Sequence, residues 1–188
     1  MYKRQQVDPG QQPALNTTRL VLNQIDQTDL VLHIGDISYA RGYAGVWDDF
    51  FDLIQPVAAR VPYMVCIGNH ERDWPDSGSY YQGLDSGGEC GVPHERRFPM
   101  PRPSLDEAWY GFDYGSVHFV LMSTEHNFTQ GSPQYKFLDQ HMQGVDRSKT
   151  PWLIFAGHRP MYVDSSNNDP PAGDLPVCLL YTSPSPRD

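Results

Sequence analysis

The stretch Leu30–Ala40, LVLHIGDISYA, is an apolar run rich in β-formers that stops at Gly35, with Asp36 directly after it and Tyr39 three residues later. A short apolar run bounded by glycine reads as a buried strand. The acid and phenol at its carboxyl end need a reason. The same order occurs twice more: Tyr63 to Ile67 runs into Gly68 and Asn69, and Trp152 to Ala156 runs into Gly157 and His158. In open α/β sheets, ligands gather beyond the carboxyl ends of the strands. Asp36, Asn69 and His158 are therefore expected at one rim, with the glycines permitting sharp turns and close approach.

These side chains offer oxygen and nitrogen donors and no thiolate, a set suited to iron, zinc or manganese. A carboxylate has two oxygens and can bridge two cations. The short Asp36-x-x-Tyr39 spacing returns a phenol to the same ion. Each residue alone has an ordinary role as a cap, a turn residue or packing. The threefold recurrence of strand, glycine and polar residue is what favours a shared site.

Around these strands, Leu15–Thr28 reads as a helix. Trp47, Phe50, Phe51, Ile54 and Ala58 mark one face of a second, which Pro56 bends or ends early. Residues 72–103, rich in Gly, Pro, Ser and Asp, read as a long loop of the kind that is usually functional or disordered. Two β-rich runs around Tyr114-Gly115-Ser116 read as an antiparallel hairpin. Tyr135, Leu138, Met142 and Val145 mark a helix behind Ser132-Pro133 as cap and first turn. Alternating strands and helices favour a parallel sheet, and the hairpin adds antiparallel strands.

The chain has 188 residues, 39% hydrophobic and 20% charged, which reads as one globular domain with a sizeable core. A net charge of −9 argues against a nucleic-acid partner held by a general electrostatic footprint. No apolar run approaches the roughly 20 residues of a membrane span, and no signal peptide is visible. Cys66, Cys90 and Cys178 allow at most one internal disulfide, and whether Cys66 pairs with Cys90 stays open. Asn16-Thr17-Thr18 and Asn127-Phe128-Thr129 are glycosylation sequons, with Asn16 and Asn127 as acceptors. The ends MYKRQ and CLLYTSPSPRD continue no neighbouring pattern. Residues 1–5 and 178–188 read as non-native ends, and 6–175 as a partial domain.

GDISYA, GNHE and GHRPMY resemble three metal-binding blocks of the purple acid phosphatases, within the calcineurin-like metallophosphoesterases. GDISYARGY, VPYMVCIGNHE, GGECGVP, VHFV and STEHNF follow in the order of the large plant-type branch. The resemblance covers about residues 8 to 163. It implies an α/β fold, the α/β/β/α sandwich with mixed sheets, truncated here at both ends. It also implies a dinuclear centre of ferric iron plus a divalent metal (Zn, Mn or Fe) and hydrolysis of phosphate monoesters at acidic pH. By position, Asp36 resembles the bridging carboxylate and Tyr39 the tyrosinate on the ferric ion. Asn69 and His158 resemble ligands of the divalent metal, and His70 the catalytic histidine that meets the phosphate or leaving group, with Asn69 beside it in substrate binding. Glu71 is its neighbour in the motif.

Asp8-Pro9-Gly10 fits the family's first block, which makes Asp8 a ferric-site ligand by resemblance, although the triplet is also a strong turn signal. The fifth block, Gly-His-x-His, finds no match after His158. His33 and His118 sit inside strand patterns and read as structural. His94 and His126 sit in loops from which the rim is within reach. Two alternatives remain: a catalytically incompetent fragment or pseudoenzyme lacking Gly-His-x-His, and a phosphodiesterase or nucleotidase of the same superfamily. The Asp-x-x-Tyr spacing argues against the latter. The expected partner is a small phosphate ester, with no nucleic acid and no membrane. The sequons and the resemblance point to a secreted, vacuolar or lysosomal location.

Overall fold

The structure, a computed structural model, describes residues 12–160. Asp8, Cys178 and both doubtful ends lie outside them, as does the end of GHRPMY. The chain forms two compact units, one of residues up to His33 with Tyr43–Met64, the other of Ile34–Gly42 with the residues from Val65 onward.

In the first unit α1 (Gln12–Asn23) packs on α2 (Ala44–Ala58). Helix α1 stops short of Thr28: Gln24 leaves helical geometry, and a 3₁₀ turn, Ile25–Gln27, follows. The Thr28 hydroxyl donates to the Gln24 carbonyl at 2.9 Å, the side-chain competition that makes threonine a poor helix continuer. α2 buries Trp47, Ile54 and Val57; of the expected stripe, Phe50 and Phe51 are half-buried and Ala58 is exposed, and the helix ends at Ala58, two residues after Pro56. β1 (Val31–Ile34) and β2 (Tyr63–Cys66) pair as a two-stranded sheet. β1 is half-buried rather than buried, and Ile34 is exposed. His33 is structural, as read: its Nδ1 lies 2.9 Å from the Tyr63 hydroxyl.

In the second unit the hairpin β3 (Tyr110–Tyr114) and β4 (Val117–Leu121) is antiparallel, and β4 pairs in parallel with β5 (Trp152–Ala156), giving the order β3-β4-β5. α5 (Pro133–Gln143) opens at Ser132, whose Oγ accepts the Tyr135 N–H at 3.1 Å. Val120, Met122, Phe128 and Leu138 form a core cluster against which Tyr80, Phe137, Leu153 and Phe155 pack. The expected loop from Arg72 to Pro103 is not wholly irregular. Two short helices, α3 (Asn69–Arg72) and α4 (Val92–Arg97), flank its glycine-rich middle. Gly91 at φ +85° followed by Pro93 starts α4, a Gly-x-Pro signal hidden by the polar composition around it. Cys66, buried, and Cys90 are free thiols.

Candidate metal centre

Three chain segments of the second unit meet where the recurring strand-glycine order ends. His158 Nε2 lies 3.2 Å from Asp36 Oδ1 and 2.9 Å from Asn69 Oδ1. The Tyr39 hydroxyl donates to Asp36 Oδ2 at 3.0 Å. The structure thus brings Asp36, Tyr39, Asn69 and His158 together, with His70 beside them: its Nε2 lies 3.9 Å from Asp36 Oδ2, and its ring centroid is 4.4 Å from that of Tyr39.

The glycines make this approach possible by lacking a side chain. A Cβ on Gly35 would sit 2.6 Å from His158 Nδ1, and one on Gly68 would sit 2.5 Å from both the backbone nitrogen and Oδ1 of Asp36. Gly35 also holds φ +86°, and Asp36 and Tyr39 both follow in the left-handed region at φ 54°. Such conformations cost free energy in non-glycine residues and cluster at functional sites. Their consequence is local: the chain curls after β1, so the Asp36 and Ile37 N–H groups face inward.

Glu71 collects those donors. Its Oε2 accepts from Asp36 N (2.9 Å) and Gly68 N (3.0 Å), and its Oε1 accepts from Ile37 N (2.8 Å). One buried carboxylate therefore fastens the turn that carries Asp36 to the turn that carries Asn69. Burial is the main reason its carboxyl is pushed up to about 7, with the Ile37 N–H pulling the other way. The sequence identified Glu71 only as a motif neighbour; an acid three residues after the helix-capping position was the available signal.

The ring orientations decide whether the donors suit a cation. His158 Nδ1 lies 2.8 Å from the Ile34 carbonyl, which can only accept, so Nδ1 carries a proton. Asn69 Nδ2 donates to Asp85 Oδ2 at 3.0 Å, which fixes the amide with Oδ1 inward. A neutral His158 then turns its Nε2 lone pair toward two oxygen acceptors. Three acceptors so close need positive charge at their focus, from a second imidazole proton or from a metal ion. Both orienting contacts are of the kind that supports metal ligands from behind. Burial alone would lower the His158 pKa, but the Asp36 carboxylate outweighs it and the net shift is upward. Burial alone would raise Asp36, but His158, the His70 N–H and the Tyr39 hydroxyl together hold it below the usual carboxylate range. Partial burial and the Asp36 charge push the Tyr39 phenol up to about 12, so a cation bound there must displace a firmly held proton. The residues fit a metal pair: Asp36 turns Oδ1 to the Asn69–His158 side and Oδ2 to the Tyr39 side.

His94 and His126, expected in loops within reach of this rim, are engaged elsewhere. His94 is buried in α4 against Phe98. His126 Nδ1 lies 2.7 Å from Ser123 Oγ, and its Nε2 accepts from Arg72 Nε at 3.1 Å. Glu95, Asp106 and His126 do place ligand atoms within 4.8 Å of one another. The buried Arg72 guanidinium already reaches two of the three, Asp106 at 3.0 Å and His126 at 3.1 Å, and brings positive charge to them. His118 is structural, as read, bonding Asp113 and, 3.0 Å away, His141.

The family profile for the calcineurin-like phosphoesterases matches residues 8–182. The chain belongs to that family. Its relatives include "Probable inactive purple acid phosphatase 1" of Arabidopsis thaliana, 51% identical over 149 residues, 79% of this chain and 24% of the relative. "Nucleotide pyrophosphatase/phosphodiesterase" of Hordeum vulgare is 43% identical over 85% of this chain and 45% of the relative. The solved structure of purple acid phosphatase PPD1 from yellow lupin seeds superposes with a TM-score of 0.79 at 46% identity, over 82% of this chain and 27% of that one. The calcineurin-like fold is therefore shared with a purple acid phosphatase. The chain spans about a quarter of the length of the first of these relatives. The residues that the sequence placed at strand and motif ends meet here; Asp85 was missed, because it sits in a polar loop that gives no periodic signal.

Proposed function

We propose that this chain carries the central part of a dinuclear metal site that hydrolyses phosphate monoesters, as an acid phosphatase of the purple type. The observation that carries the reading is the Asp36 carboxylate, with one oxygen toward Asn69 and His158 and the other toward Tyr39. Ferric iron on the Tyr39 side and Zn, Mn or Fe on the other fit these donors, and Asp8 is the candidate for a further ferric-site ligand. Bound there, the cations supply Lewis acidity and lower the pKa of water. His70 is the proton donor to the leaving oxygen and, with Asn69, contacts the substrate. Its Nδ1 is buried without a hydrogen-bond partner, and its ring is held by Tyr39.

The test is the protein expressed with its complete reading frame. It should be coloured by a ferric–tyrosinate band that Tyr39→Phe removes, and it should turn over a phosphomonoester at pH 5. His70→Ala should lower turnover about 10²–10⁴-fold with both metals retained. A colourless protein with a full metal complement would remove the ferric assignment.

Two other readings have specific support. The Arabidopsis relative is named as probably inactive, which favours a catalytically incompetent member; bound metal without turnover would support it. The name of the barley relative favours phosphodiester or pyrophosphate bonds, which the same assay with a diester decides. Secretion, or delivery to a vacuole or lysosome, is proposed from exposed Asn16 and Asn127 as glycan acceptors. Among the described residues no helix is long and apolar enough to cross a membrane.

A further inference from the structure

Arg159 directly follows His158, and its side chain enters a buried acid pair. Nε donates to Glu125 Oε1 at 3.0 Å and Oε2 at 3.1 Å, and Nη2 donates to Glu125 Oε2 at 2.9 Å and Asp73 Oδ2 at 3.1 Å. Both acids are fully buried, at 0% exposure, and the guanidinium covers the Tyr81 ring 4.0 Å from its centroid. The Arg159 N–H donates to Thr124 Oγ1 at 3.2 Å, and that hydroxyl donates to Glu125 Oε1 at 2.6 Å.

The arms of this network lead back to the rim. Asp73 closes α3, the helix that begins at Asn69, and its N–H donates to the Asn69 carbonyl at 2.9 Å. The Asp73 carbonyl accepts the Ser86 N–H at 3.1 Å, which holds the segment whose Asp85 fixes the Asn69 amide. At the other end, Arg159 is joined to His158 by one peptide bond. A planar guanidinium serves two carboxylates at fixed angles, which a lysine ammonium cannot do.

We propose that Arg159 is a positioning residue that sets the spacing between His158 and Asn69, and with it the retention of the cation those two side chains would share. It leaves the Asp36–Tyr39 side unaffected. This rests on the reading of the rim as a metal centre.

Lysine keeps the charge that the buried acids require and loses the fork, so Arg159→Lys separates positioning from folding. Methionine removes both, and its unpaired buried acids endanger the fold. In the complete protein loaded with iron and zinc, zinc and iron retention would be measured during graded dialysis against a chelator. The visible band and the thermal midpoint would be followed alongside. Arg159→Lys should keep the fold and the band and weaken zinc retention at least about 10-fold, the scale on which partners behind metal ligands act. Asp73→Asn should weaken zinc retention to a smaller extent, because Glu125 still holds the guanidinium. A lysine variant that retains zinc like wild type overturns the proposal, as does one that loses iron and zinc in parallel. Wild-type protein that binds no metal overturns the reading of the rim and this inference with it, an outcome visible before any variant is made.

Discussion

Gly68 has φ −115°, a backbone angle open to any residue, yet it has no room for a side chain. The obstacle is Asp36, whose backbone nitrogen and Oδ1 would each be 2.5 Å from an added Cβ. Gly68→Ala should therefore push the Asp36 turn away from His158. Overpacking of this kind costs about 1–3 kcal/mol, and metal retention should fall further than the thermal midpoint. Gly45→Ala is the control: it lies in α2 with nothing within 4 Å of an added Cβ, and it should leave both unchanged or slightly raise stability. Denaturation midpoints together with elemental analysis check the pair. Asp36, Tyr39, Asn69, His70 and His158 were legible in the sequence because each stands at a fixed offset from a strand or motif. Asp85, Glu125 and Asp73 were not. They act through contacts 16, 34 and 86 residues away in sequence, with Asn69, Arg159 and Arg159 respectively, and such contacts leave no periodic trace.

At the scale of elements, local chemistry was a reliable guide wherever a cap or turn residue stood at a boundary. α5 begins at Pro133 because Ser132 accepts the Tyr135 N–H. Ser132→Ala should destabilise the second unit by about 1 kcal/mol. Urea denaturation would measure this, and metal content should be unaffected, because the bonds of Ser132 run to Thr129, Tyr135 and Lys136. β5 matches its apolar run residue for residue, and the hairpin falls where the Tyr114-Gly115-Ser116 turn put it. Composition misled between Arg72 and Pro103, where α4 is too short for an apolar stripe. It misled again at β1, where an all-apolar run implied burial and Ile34 is exposed. An apolar run signals a strand, but what covers each face depends on elements remote in sequence.

For the molecule as a whole, the resemblance implies ligands from a Gly-His-x-His block besides Asp8, Asp36, Tyr39, Asn69 and His158, and that block finds no match among these 188 residues. His94 and His126 are committed to other partners and cannot complete the set without dismantling them. Residues 1–188 expressed alone should therefore hold less than one metal per site and show little turnover at pH 5, measured by elemental analysis and a generic phosphomonoester assay. Two metals per chain with turnover of about 1–10³ per second would contradict this.

By itself, the sequence determined the order of the strands and of the longer helices, without α3 and α4, and the placing of Asp36, Tyr39, Asn69 and His158 at or just after strand ends, because backbone periodicity and glycine offsets are local properties; His70 came from the family resemblance. Only the tertiary structure decided which way those side chains face. The Ile34 carbonyl sets the proton on His158, Asp85 turns the Asn69 amide, and Glu71 ties two turns together by three backbone N–H groups. Hydrogen-bond direction depends on which acceptor arrives from another part of the chain, and that is settled only when the chain has folded.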